Sequence, residues 1–133
     1  MTNILQCIET STAIISINEE GIGFLHFKDN AHQDISEQME NHEAIKKITG
    51  DLPTPFVVSA GEHVTLTREA RHNALAIEHL SPMCATAVIV QNLAYRMIAE
   101  FYMKIQKPKN PFAVFTEKDK DKAYEWCRQF LVK

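Results

Sequence analysis

Basic clusters are missing from this chain of 133 residues: its 14 Lys and Arg lie scattered against 17 Asp and Glu, for a net charge of −3. Nucleic-acid binding draws on a basic patch that neutralises phosphates, so that class is disfavoured, and an anionic membrane surface with it. Glycine is scarce, at four residues. Neither a P-loop nor a GxGxxG follows a first strand, and tight phosphate cradles are hard to build without them. The three cysteines, Cys7, Cys84 and Cys127, are odd in number and show no CxxC spacing. They imply ordinary reduced thiols rather than a disulfide framework. No apolar run approaches the roughly 20 residues that cross a bilayer, and MTNILQCIET lacks the basic and apolar regions of a signal peptide. The expectation is a cytoplasmic protein with no integral membrane segment.

Catalytic signatures are lacking too. There is no GxSxG elbow, no HExxH and no cysteine with a placed base. Of the six histidines, His26, His32, His42 and His63 fall on different elements. His72 and His79 share one helix face seven residues apart, about 10 Å along the axis, too far for one ion without further ligands. These readings give no enzyme, no metal and no cofactor.

What is present is an alternation of strand and helix patterns. Ile4–Ile8 is a short apolar piece that either pairs as an edge strand or stays loose. Thr12–Ile17 and Ile22–Phe27 read as a hairpin about Asn18-Glu19-Glu20-Gly21, with Gly21 suited to positive φ. Asp34 and Glu37 have capping-box spacing and open a helix over Ile35–Thr49, ended by Gly50. Its stripe is Ile35, Met39, Ile45 and Ile48, with His42 on the same side. Phe56–Ser59 is a strand. Thr67 is the N-cap of a helix over Arg68–Leu80 that buries Ala70, Ala74, Ile77 and Leu80.

Ala85–Phe115 then reads as a β-α-β crossover: a buried strand to Val90, a helix Leu93–Gln106, the loop KPKNP and a strand Phe112–Phe115. Thr116 caps a last helix reaching Leu131, striped by Ala123, Trp126, Cys127, Phe130 and Leu131. The fold class is therefore α/β, a single domain over 1–133 with a mixed β-sheet and four helices, in the order β-β-α-β-α-β-α-β-α. On the helix Leu93–Gln106, Tyr95, Ala99, Tyr102 and Met103 flank the core face more widely than one sheet contact requires. An aromatic and methionine margin of this kind suits a subunit interface or a ligand cleft.

The pieces AVIVQN, RMIAEFY, KPKNPFAVFTEKDKDKAYEW and LTREARHNAL resemble small bacterial STAS-like proteins of unknown function. These share the fold of the anti-sigma-factor antagonists and are loosely grouped with CRAL-TRIO lipid-binding domains. The resemblance implies a STAS-like fold and a regulatory role, with a phosphorylated Ser or Thr at the start of the helix after the third strand. The corresponding VVSAGEHVTLTREA has no Asp-Ser pair; Ser59, Thr65 and Thr67 are the hydroxyls near that place. The expectation is a binding or regulatory domain acting by protein–protein interaction, with Tyr95, Ala99, Tyr102 and Met103 as the contact patch of a homodimer or other partner. A carrier of a small apolar or lipid-like ligand is the alternative.

Overall fold

The computed structural model describes residues 4–92 and 108–131. Six strands form the main sheet: β1 (Ile4–Glu9), β2 (Ala13–Asn18), β3 (Gly23–Phe27), β5 (Thr54–Ala60), β7 (Met83–Val90) and β8 (Phe112–Thr116), side by side in that order. Pairing is antiparallel from β1 to β3 and parallel from β3 to β8. Two-residue strands β4 (His32–Gln33) and β6 (Thr65–Leu66) form a separate parallel pair that the sequence pattern does not announce. The three α-helices among the described residues are α1 (Ile35–Thr49), α2 (Arg68–Ala76) and α3 (Lys120–Arg128). Four were expected; the helix placed at Leu93–Gln106 lies outside the described residues.

Local chemistry sets the boundaries. The Asp34/Glu37 capping box is formed, and Gly50 closes α1 in the left-handed conformation at φ 62°. Gly21 turns the β2–β3 hairpin at φ 93°. Ile4–Glu9 pairs with β2 rather than staying loose.

The core has two halves, one on each side of the sheet. Ala13, Ile15, Leu25 and Phe56 meet Ile45 and Ile48 of α1. Ile22, Val57, Ala87 and Ile89 meet Ala123 and Cys127 of α3 on the opposite face. Neighbours Phe56 and Val57 serve opposite halves because successive strand side chains alternate.

Two expected stripes are corrected. Ile35 is exposed, since it stands in the first turn of α1 beyond the sheet's reach. Of Ala70, Ala74, Ile77 and Leu80, only Ala70 is buried. The helix stops at Ala76, a 3-10 turn takes Glu78–Leu80, and α2 packs on α1 rather than on a strand. Asn73 donates to Gln38 Oε1 and Gln38 donates to the Ala70 carbonyl, both at 2.8 Å, so a polar seam holds α2 in place. At the far end, Thr116 makes no capping bond, and a 3-10 turn at Glu117–Asp119 precedes α3.

Candidate functional site

Where β3 and β5 end, their chains do not part. Leu25 to Phe27 align with Val58 to Ala60 at an offset of 33 residues, and β4 aligns with β6 at the same offset. The bridging loops keep it: Asp29 Oδ1 accepts from Glu62 N at 2.9 Å. Gly61 is required beside this contact, because a Cβ there would collide with Asp29.

This track collects all three expected hydroxyls. Ser59 Oγ lies 2.7 Å from His26 Nδ1, and Thr65 Oγ1 lies 2.7 Å from His32 Nδ1. Thr67 Oγ1 donates to Asp34 Oδ1 at 3.0 Å and accepts from Ala70 N at 3.1 Å. Thr67 is thus the N-cap of α2 and ties that helix to the cap of α1. The backbone N–H of Ile35, then the Thr67 hydroxyl, hold the Asp34 carboxyl below its ordinary range. The sequence does not reveal His26, His32 and Asp34 as their partners, because a constant offset between distant segments has no signature in one sequence. Ser59 with His26 supplies two members of a nucleophile–base set, but no carboxylate hydrogen-bonds His26 among the described residues.

Tyr95, Ala99, Tyr102 and Met103 lie outside the described residues. The thiols occupy distinct settings: Cys7 is exposed on β1, Cys84 is half-buried and Cys127 is buried. Burial pushes Cys84 up, and it pushes Cys127 to about 12, leaving no thiolate there at neutral pH.

Each face of the sheet carries a concavity among the described residues. A cleft of about 710 Å³ runs between the hairpin and α3 over Ile22 and Phe24. Its wall is charged: Lys120 Nζ sits 5.3 Å from the Phe24 ring centroid, and Arg128 pairs with Glu20 through two bonds of 2.7 and 3.1 Å. The second, of about 350 Å³, opens on the other face between α1, α2 and the sheet, lined largely by apolar groups such as Leu25, Ile45, Leu75 and Phe112.

The mixed sheet with helices on both faces is similar in fold to a solved structure described as SpoIIAA-like. The crystal structure of an uncharacterized DUF3478-family protein with a SpoIIAA-like fold, from Shewanella loihica PV-4, matches with a TM-score of 0.57 at 13% identity. That match covers 96% of this chain and 95% of the other. The chain belongs to the family described as a domain of unknown function (DUF7793), which matches residues 15–131. A search of curated proteins finds no match. The STAS-like resemblance therefore holds as fold, while nothing in these comparisons supports the grouping with CRAL-TRIO domains. No helix among the described residues is long and apolar enough to cross a membrane.

Proposed function

We propose that this chain is a non-enzymatic binding or regulatory domain that acts by contact with another protein, through strand addition at β1 with a second copy of itself. The observation that carries this reading is the outer edge of β1. Among the described residues β1 is the last strand of the sheet. Thr10 N donates to Ala13 O, and the register pairs Ile8 with Ile15 and Gln6 with Ile17. Antiparallel ladders alternate, so Gln6 and Ile8 bond inward to β2 while the N–H and C=O of Cys7 and Glu9 point outward.

Natural sheets usually blunt such edges with charge, proline or bulges. Here a register shift between Ile4 and Gln6 covers only the first residues. The acid on the edge, Glu9, is neutralised by Lys28 at 2.6 Å. Ile4 and Leu5 are 64% and 68% exposed, giving the strand an apolar end. An antiparallel strand pairs with its own copy about a two-fold axis, so one surface serves both partners.

Native mass spectrometry over a concentration series tests the reading. Wild type is expected to dimerise. Cys7→Pro removes an outward N–H and leaves the ladder to β2 intact, so it is expected to be a folded monomer. Ile8→Pro removes an inward N–H and is expected to disturb the fold itself. A folded Cys7→Pro protein that dimerises like wild type would overturn the edge as the contact.

A further inference from the structure

The floor of the 710 Å³ cleft between the β2–β3 hairpin and α3 carries two polar groups that the fold leaves unanswered. α3 packs chiefly on β5, β7 and β8, so β2 and β3 lie open beside it. Asn18 is 8% exposed and lines this floor. Its Oδ1 accepts from the N–H groups of Glu20 and Ile22, both at 3.0 Å. Reversing the amide would set its NH2 against two donors, so the orientation is fixed. Its Nδ2 makes no hydrogen bond among the described residues. Ser16, two residues back on the same strand face, is 5% exposed, and its hydroxyl is likewise unpartnered among the described residues. Neither atom is sealed. Among the described residues only Gln33 Nε2 is both unpartnered and out of reach of solvent, so Asn18 Nδ2 and Ser16 Oγ keep accessible surface where these residues line the cleft.

The wall narrows what would answer them. Both cations of the lining are engaged: Lys120 Nζ lies 5.3 Å from the Phe24 ring centroid, and Arg128 bonds Glu20 at 2.7 and 3.1 Å. They are the first and last α3 residues of the lining, about 12 Å apart along the helix axis. Tyr124 stands midway between them, half-buried, and adds a hydroxyl. The carboxylates of Asp121 and Glu125, one turn apart, form no hydrogen bond among the described residues and attract Arg128 only at longer range. The uncommitted charge on the wall is thus negative and turns anions away. Ile22 and the Phe24 ring, which faces Ser16 across the strands, give the floor its apolar part.

We infer that this cleft binds an uncharged, polyhydroxylated molecule of disaccharide size, whose hydroxyls accept from Asn18 Nδ2 and donate to Asp121 and Glu125 while its C–H face lies on Phe24 and Ile22. Hydroxyls both donate and accept, which is what this set of uncommitted groups requires; a purely apolar molecule would leave all of them unanswered. Two linked pyranose rings fit the length between Lys120 and Arg128. Recognition follows the usual pattern of an apolar surface with a few placed polar groups. The cleft lies on a face of the sheet rather than on the β1 edge, so this proposal and the strand-addition reading fail separately.

The test is a 1H–15N NMR titration of the full-length protein with maltose and, in parallel, with the cation spermidine. Maltose is expected to give saturable shifts in β2, β3, α3 and the Asn18 side-chain NH2. Asn18→Asp keeps the acceptor for Glu20 and Ile22 but loses the donor, and is expected to weaken binding about tenfold. Asp121→Ala with Glu125→Ala removes the acceptors at two exposed positions and is expected to weaken binding by a similar factor, with circular dichroism unchanged. Four results would each overturn the proposal: no saturable shift with maltose, shifts centred between α1 and α2, saturation of the cleft by spermidine but not by maltose, or unchanged affinity in both folded variants.

Discussion

Gly23 lies in β3 directly over Phe56, and a Cβ built there would run into the Phe56 ring. Phe56 is fully buried and cannot swing away. Gly23→Ala is therefore expected to lower stability by about 1–3 kcal/mol, the usual cost of overpacking, measured by urea denaturation. A change near zero would mean that the sheet has room to spread at this point. Charge at the α1 N-terminus gives a second expectation. Hydrogen bonds hold the folded Asp34 and Glu37 carboxyls below their ordinary values, with the N–H of Ile35 leading for Asp34 and the Ser36 hydroxyl for Glu37. Their stabilising contribution is present above the unfolded carboxylate range of about 4 and is lost as pH falls through the lower folded values. Asp34→Asn with Glu37→Gln should flatten the acid limb of the stability profile below about pH 4. An unchanged limb would show that other carboxyls set it.

At the level of elements, α2 is held lightly among the described residues. It leans on α1 through Gln38 and Asn73, and its start depends on Thr67. Thr67→Ala is expected to cost about 0.5–2 kcal/mol, with amide exchange rising first across Arg68–Ala76 rather than in the β-strands. Uniform exchange across the fold would mean that α2 is not a separately opening unit. This helix also marks where sequence reading reaches its limit. Asp34, Glu37, Gly50 and Gly21 act through contacts within four residues, so the α1 boundaries and the hairpin turn were legible. Periodicity shows that Ala70, Ala74 and Ile77 share a stripe, but not that Ala74 and Ile77 face a cavity instead of the sheet. The track from His26–Ser59 to Asp34–Thr67 depends on two segments staying in register 33 residues apart, which no local pattern encodes. Likewise the cleft at Asn18 exists only because α3, from the far end of the chain, stands beside β2 and β3.

At the scale of the molecule, the sheet joins two half-cores that share no helix among the described residues. Ile45 and Ile48 of α1 press on one face and Ala123 and Cys127 of α3 on the other, connected through adjacent Phe56 and Val57 of β5. A strand cannot lose its place for one face and keep it for the other, so the two halves should unfold together. The single Trp makes this measurable, because Trp126 sits on α3 between Phe115 and Phe130, with ring centroids 6.3 and 4.8 Å away. Ile45→Ala removes packing on the opposite face and is expected to cost about 2–5 kcal/mol. Its midpoint by Trp126 fluorescence should shift by the same amount as its midpoint by far-ultraviolet circular dichroism. A fluorescence midpoint that stays at the wild-type value while the dichroism midpoint falls would mean that α3 and its strands hold together alone. The sheet would then be two cores in contact rather than one cooperative fold.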